Sequence, residues 1–281
     1  MRFFVVKTFC FSVASLRTFV KQFLFYMKIA LIQSSLLWEN PTANRNHFEE
    51  KINAIAEKVD LIVLPEMFTT GFTMNPEIVF ETMHGETIQW LQSLAKAKNS
   101  AITGSLVIKE NGNFYNRLVF VFPSGEIQFY DKRHLFTLAG EDKVYTYGKG
   151  KLIVDYLGWK ICPLICYDLR FPVFARNIEE YDVLIYVANW PKTRINAWDI
   201  LLKARSVENL CYTIGVNRFG FDRNNLEYVG HSQAVDFLGN YILEPQETEG
   251  VFIVELNKEK LLETRNILGF LNDRDSFEIK L

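Results

Sequence analysis

The chain has 281 residues, 49% of them apolar and 24 of them phenylalanine, which is enough to build a substantial core in one large α/β domain or two small ones. Its formal net charge is −2, so no general basic field is present for nucleic acid or an acidic membrane surface. The four cysteines, Cys10, Cys162, Cys166 and Cys211, form no disulfide framework, and no CxxC spacing or His–Cys cluster makes a zinc site. A reducing, cytoplasmic setting is therefore expected, with no metal and no cofactor.

Residues 1–26 contain no Asp or Glu and mix Phe and Val with Arg2, Lys7, Arg17 and Lys21. One reading is a targeting segment, with Thr8–Leu16 as a short apolar region and Ser12-Val13-Ala14 as a small-residue cleavage pattern. The run is too short to span a bilayer as a helix. The other reading is a stretch ahead of a start at Met27, and it is preferred. Met27 opens directly into Lys28-Ile29-Ala30-Leu31-Ile32-Gln33, a core strand with no linker before it. Residues 1–26 are expected to lie outside the fold, and residues 27–281 to form a single domain.

From residue 28 onward strands and helices alternate. A strand over 28–34 precedes a turn at Asn40-Pro41 and a helix from about Thr42, with Phe48, Ile52, Ile55 and Ala56 near helical spacing. LIVL at 61–64 is continuously apolar, as a strand buried on both faces must be, and it ends at Pro65-Glu66. A helix over 86–98 buries Ile88, Leu91 and Leu94. Strands 101–108 and 114–122 flank Asn111-Gly112-Asn113, a hairpin signal. Strand 126–130 ends at Asp131-Lys132, and 134–149 reads as a long loop. Strands 151–156 and 160–165 lead to Cys166. Strand 182–188 ends at Asn189-Trp190-Pro191, and a helix follows over about 196–209. Strands near 211–217, 231–237 and 251–256 precede a short charged helix. Helices between strands, together with hairpins, specify an α/β chain with mixed sheets. Two sheets with helices outside them use this many strands without leaving apolar faces wet.

The chemistry centres on GWKICPLICYDLRFP, residues 158–172. An apolar strand runs into Cys166, a polar turn Tyr167-Asp168-Leu169-Arg170 follows, and Pro172 suits a first helical turn. This is a strand-to-helix elbow. It exposes the sulfur and aims the following backbone N–H groups and a helix N-terminus at a ligand, which favours the thiolate. Two other polar residues also lie just past apolar strands: Glu66 after LIVLP and Lys132 after IQFYD. Strand ends meeting in a crevice are where α/β sheets place chemistry. A carboxylate that moves the thiol proton, a thiol nucleophile and an ammonium that holds a developing oxyanion suffice for acyl transfer.

Three segments carry a resemblance: LPEMFTTGF (64–72), YDKRHLF (130–136) and LICYDLRFP (164–172). They resemble the signature segments of the nitrilase, or carbon–nitrogen hydrolase, superfamily. Within it the chain is most similar to bacterial omega-amidases, with YVANWP (186–191) and LLKARSVEN (201–209) in support. The likeness covers essentially all of the chain from Met27 onward and implies a four-layer αββα sandwich. It implies Glu66 as general base, Lys132 as oxyanion stabiliser and Cys166 as nucleophile, with the Tyr167 backbone N–H as a second oxyanion donor. Glu141, in the variable loop LAGEDKVYTYG, matches a second active-site glutamate. The implied substrate is a small omega-amide of the 2-oxoglutaramate or succinamate type. Its far carboxylate points to Arg170 and Arg194 as partners, with Trp190 as an apolar wall. A homodimer is also implied.

Other readings differ in their partners. A papain-like hydrolase needs a histidine, and the candidates are His47, His84, His134 and His231. His134 beside Lys132 suits packing or hydrogen bonding better than base chemistry. A glycosidase built on Glu66 and Glu141 leaves Cys166 and Lys132 without roles. An N-carbamoyl amino acid hydrolase and a relative that only binds remain as alternatives.

Overall fold

The fold was obtained as a computed structural model that describes residues 25–280, so the expectation for residues 1–24 lies outside the described residues. The first strand, β1 (Tyr26–Gln33), opens one residue before Met27. Tyr26 pairs with Asn257, and its hydroxyl accepts from Asn257 Nδ2 at 3.1 Å.

Two six-stranded sheets carry the chain. The first contains β1, β2 (Leu61–Val63), β3 (Ala101–Glu110), β4 (Asn113–Val121), β5 (Ile127–Asp131) and β14 (Gly250–Asn257), in the order β14-β1-β2-β3-β4-β5. The second contains β6 (Val154–Tyr156), β7 (Trp159–Ile165), β8 (Val183–Ala188), β9 (Tyr212–Asn217), β12 (Ser232–Val235) and β13 (Tyr241–Gln246), in the order β13-β12-β9-β8-β7-β6. β1, β2 and β3 run parallel, as do β7, β8 and β9, and the outer pairings are antiparallel. A small hairpin, β10 (Phe219–Phe221) with β11 (Glu227–Val229), stands apart from both sheets. This hairpin and β13 were not legible in the sequence, because their residues alternate too weakly to stand out from loop.

The side-chain alternation of the strands decides the layering. In β1, Met27, Ile29 and Leu31 face the second sheet, while Ala30 and Ile32 face the helices. In β4, Leu118 and Phe120 take the first side, and Val119 and Val121 the second. Helix α1 (Pro41–Asn53) buries Phe48 and Ile52, and α2 (Glu86–Lys98) buries Ile88, Leu91 and Leu94 against that outer face. Asn40 caps α1 by accepting from Ala43 N, and Pro41 occupies the first turn, where a missing N–H costs nothing. On the far side, Trp198 and Leu202 of α4 (Ile195–Asn209) pack onto β9 at Gly215, where an added Cβ would lie 2.5 Å from Leu202. The result is a four-layer αββα sandwich. No described helix is long and apolar enough to cross a membrane.

The elbow departs from expectation. Cys166 opens a 3₁₀ turn (Cys166–Arg170), and the α-helix after it, α3 (Pro172–Ala175), has only four residues. Pro172 does open that helix, but Cys166 does not sit at its N-terminus. The 134–149 segment is a loop, as expected, with short 3₁₀ turns at Thr137–Ala139 and Glu141–Lys143. Gly148 closes it against the end of β5, donating to Lys132 O at 2.9 Å. A Cβ there would stand 2.0 Å from the Asp131 carbonyl oxygen, which is backbone and cannot yield cheaply. Gly148→Ala should therefore cost about 2–3 kcal/mol, as overpacking against a fixed neighbour does. The expected result is a lower urea midpoint at unchanged slope.

Candidate active site

Glu66, Lys132 and Cys166 leave three different strand ends and meet in one crevice. β2 ends at Val63, and the turn after it buries Glu66 completely. Met67 next to it has φ +43°, a left-handed conformation that costs a non-glycine residue strain. Two anchors hold this turn. Asn189, just past β8, donates its backbone N–H to Glu66 Oε2 at 2.8 Å and its side-chain amide to the Glu66 carbonyl at 2.7 Å. Ser105 of β3 accepts the Met67 N–H at 2.8 Å.

Lys132 follows β5 and is fully buried. Its ammonium lies 2.8 Å from Glu66 Oε1 and 2.9 Å from Glu141 Oε2. The loop after β5 thus returns Glu141 to the lysine that precedes it, and the Phe136 N–H fixes that carboxylate at 2.6 Å. Burial works to lower the lysine pKa, but Glu141 and Glu66 outweigh it and raise it above its ordinary value, so the ammonium stays charged. Burial raises the Glu141 pKa, against the pull of Lys132. Two carboxylates share one cation, so the cluster carries a negative balance before Cys166 ionises.

That balance corrects the sequence reading of the thiol. Enclosure of the sulfur, then Glu66, push the Cys166 thiol well above its usual range, and Lys132 pulls the other way without prevailing. Burial and the carboxylate both favour the protonated thiol. A base is needed to ionise it, and Glu66 and Glu141 are the carboxylates of the same cluster. Cys166 itself has φ +43°, so the elbow is strained at the sulfur-bearing residue. Asp168, two residues on, takes up the strain. Its buried carboxylate accepts from the Ile165 N–H at 3.0 Å, Tyr130 OH at 2.7 Å and the His134 N–H at 3.0 Å, and it contacts His134 Nδ1 at 2.8 Å. His134 also stacks flat on Phe171 at 3.7 Å. One carboxylate thereby ties the Cys166 elbow to the Lys132 strand end.

Glu66, Lys132 and Cys166 floor a cavity of about 320 Å³. Tyr167, Arg170, Trp190 and Arg194 lie on its wall with Glu66, Lys132 and Cys166, and Glu141 stands behind Lys132. Arg170 stacks over Trp190 at 4.9 Å and Arg194 over Phe136 at 5.2 Å, and neither forms an ion pair among the described residues. Trp190 is both wall and core: it lines the cavity, packs on Trp198 at 5.5 Å and donates to Arg194 O at 2.8 Å. None of the four histidines lines the cavity. Phe72, Met74, Leu226 and Tyr228 complete an apolar side that the sequence did not disclose. Asn116, Asn189 and Ser105 were also missed. The one available signal for Asn116 was a polar residue on the buried run of strand 114–122. Among the described residues no group of three or more His, Cys, Asp or Glu is placed to hold a metal ion.

With this geometry in place, comparison with known proteins defines the class. Residues 28–266 match the carbon-nitrogen hydrolase family, and the chain belongs to it. Among its relatives, omega-amidase YafV of Escherichia coli (strain K12) is 39% identical over 254 residues, covering 90% of this chain and 98% of that protein. The 2-oxoglutaramate amidase of Bacillus subtilis (strain 168) is 30% identical over 250 residues, covering 87% of this chain and 96% of that one. A solved structure, XC1258 from Xanthomonas campestris, is a CN-hydrolase superfamily protein with an arsenic adduct in its active site. It superposes with a TM-score of 0.89 at 40% identity, covering 91% of this chain and 99% of that one.

Cys162 and Cys211 are fully buried in the core, whereas Cys166 is half-buried and faces the cavity. Limiting iodoacetamide on the folded protein should therefore label Cys166 ahead of both. Because the thiol is pushed up, labelling should accelerate as pH rises through the alkaline range. Peptide mapping at several pH values checks this, and a Cys166 rate that is flat above neutrality would contradict the elevated thiol.

Proposed function

We propose that this chain is an amidase that hydrolyses a small omega-amide, of the 2-oxoglutaramate or succinamate type, to the carboxylate and ammonia through a thioester on Cys166. The observation that carries it is the fully buried Lys132 ammonium held between Glu66 and Glu141 on the floor of the cavity that Cys166 faces. The names of the omega-amidase and 2-oxoglutaramate amidase relatives support the substrate class.

In this reading the Cys166 thiol gives its proton to Glu66 as sulfur attacks the amide carbon. Lysine has three N–H donors. One goes to Glu66 and Glu141 takes the ammonium on both its oxygens, at 3.0 and 2.9 Å, so an N–H that Glu141 gives up turns to the oxygen that becomes negative. The Tyr167 N–H joins it, since the first N–H groups of a helical turn lack intrahelical partners. The C–N bond breaks as Glu66 returns the proton to the departing nitrogen, which leaves as ammonia. Water then attacks the thioester, giving its proton to Glu66. The C–S bond breaks, the carboxylic acid leaves, and sulfur recovers its proton. Glu141 holds Lys132 in place throughout.

The far carboxylate of the substrate needs a cation if it is to enter an enclosed cavity. Arg170 and Arg194 supply two, each resting on an aromatic ring rather than on an acid. Phe72 and Trp190 face the methylenes between the two ends. An N-carbamoyl amino acid also carries a carboxylate, but the named relatives favour the omega-amide. A relative that only binds has no use for a buried base beside a thiol. A homodimer fits the exposed Ile200 and Val207, one heptad apart on α4, and light scattering at micromolar concentration tests it. A cytoplasmic setting fits the free thiols of Cys162, Cys166 and Cys211.

Ammonia release should favour 2-oxoglutaramate and succinamate over an aliphatic nitrile and an N-carbamoyl amino acid, compared by kcat/KM. Cys166→Ala should abolish it. Arg170→Ala and Arg194→Ala should raise KM for succinamate by about tenfold where the arginine pairs the carboxylate, as loss of a charge-assisted hydrogen bond does. Unchanged KM in both would remove the arginines from the binding site and leave the cysteine chemistry standing.

A further inference from the structure

Asn116 touches more of the proposed machinery than any residue assigned a step in it. It lies on β4, beside the end of β5. Its backbone carbonyl accepts the Lys132 N–H at 3.0 Å. Its side-chain Nδ2 donates to Glu66 Oε1 at 2.8 Å and to Glu141 Oε1 at 3.2 Å. One amide group therefore bridges the two carboxylates that Lys132 also bridges, and it does so from a rigid strand interior with no exposed surface.

The orientation of that amide is set from behind. Ser105 Oγ accepts the Met67 N–H at 2.8 Å, so its own proton is free to go to Asn116 Oδ1, also at 2.8 Å. A backbone N–H cannot reverse. The sequence Met67 N–H to Ser105 O–H to Asn116 NH₂ to carboxylates thus has one direction only. With Oδ1 engaged, the amide presents donors alone to Glu66 and Glu141. Ser105 also carries the turn itself, because its carbonyl accepts the Phe68 N–H at 3.2 Å. The same relay that orients Asn116 thereby clamps the strained Met67 backbone next to Glu66.

We infer that Asn116, oriented by Ser105, is a positioning residue that holds Glu66 and Glu141 as anionic acceptors around Lys132 and so sets the pH at which the site becomes competent. The titratable groups facing it are Glu66, Glu141 and Lys132, with Cys166 and Tyr145 also interacting with that cluster. The sign follows from the chemistry. A hydrogen bond to an anion favours the anion, so removing the donor lets the carboxylates take up a proton at higher pH. The base must be anionic to accept the thiol proton. Activity should then fail at a higher pH in the variant as the solution is acidified.

This inference rests on Glu66 acting as the base. The tests are Asn116→Asp, which exchanges the NH₂ donor for an acceptor oxygen at nearly constant shape and adds a carboxylate, and Ser105→Ala, which removes the orienting hydroxyl, keeps Asn116 and adds no charge. Two readouts are taken on the full chain: kcat/KM for succinamate against pH, and the rate of Cys166 alkylation by iodoacetamide against pH, which needs no substrate. The expected result is an acidic limb moved upward by about one pH unit in Asn116→Asp, the worth of a hydrogen bond to a charged group, with a smaller move in Ser105→Ala. At a pH on that limb, activity should fall by about tenfold in Asn116→Asp. A uniform loss of rate in either folded variant, with the acidic limb unmoved in both readouts, would overturn the inference, because a purely structural role lowers rates without moving a titration. Should Asn116→Asp fail to fold, as a matched thermal melt would show, an unmoved limb in Ser105→Ala overturns it alone. Glu66→Gln separates the two levels. If it keeps wild-type alkylation and activity profiles, the base assignment itself has failed. If it abolishes the acidic limb while Asn116→Asp leaves that limb in place, only the role of Asn116 has failed.

Discussion

The structure turns on a buried ammonium between two buried carboxylates. Lys132, Glu66 and Glu141 are each removed from solvent, and each is intolerable there without the others. Breaking such a pair by removing one partner costs about 3–5 kcal/mol, because the other charge is left stranded. The cost constrains the chain over long distances. Glu66 and Lys132 come from opposite halves of the first sheet, and Glu141 must be returned by a loop that has almost no regular structure. The loop is accordingly tied at both ends, by Phe136 N–H on the Glu141 carboxylate and by Gly148 N–H on Lys132 O.

The second constraint is conformational. Met67 and Cys166 both occupy the left-handed region without being glycine, and each adjoins or bears a side chain that the proposed chemistry uses. Strain of this kind persists only where the surroundings fix it. Ser105 and Asn189 fix the first turn, and the four contacts on Asp168 fix the second. The supporting residues are polar and buried. Rigid strands thus hold a precise arrangement that a solvated loop would not keep.

The electrostatics follow from the count of charges. An elbow read alone, with backbone N–H groups and a lysine nearby, favours a thiolate. In the folded chain the sulfur is enclosed and the lysine is already shared by two carboxylates, so burial first and Glu66 second favour the protonated thiol. In the proposed mechanism a thiol that stays protonated until a base takes its proton is protected from indiscriminate reaction. Glu66 and Lys132 are hydrogen-bonded to each other, so in the proposed mechanism a proton moved onto Glu66 also frees Lys132 toward the developing oxyanion.

Local sequence was sufficient for most of the elements. Periodicity marked the second helix at its observed bounds, Glu86–Lys98, and continuous apolar runs marked β2, β7 and β8, since strands buried on both faces must be apolar throughout. Polar residues just past three strands singled out Glu66, Lys132 and Cys166 as a set, because a carboxylate, an ammonium and a thiol in matching contexts suffice together for acyl transfer, while each alone has an ordinary explanation. Weakly alternating edge segments, β13 and the β10–β11 hairpin, carried no such signal. What only the tertiary structure decided was which groups face one another. Glu141 meets Lys132 through a loop whose path no local pattern encodes, and Asn116, Ser105 and Asn189 matter through contacts with residues up to 123 positions away. The sign of the shift at Cys166 depends on how far the sulfur is enclosed and then on the charges around it, and both exist only once the strands have come together.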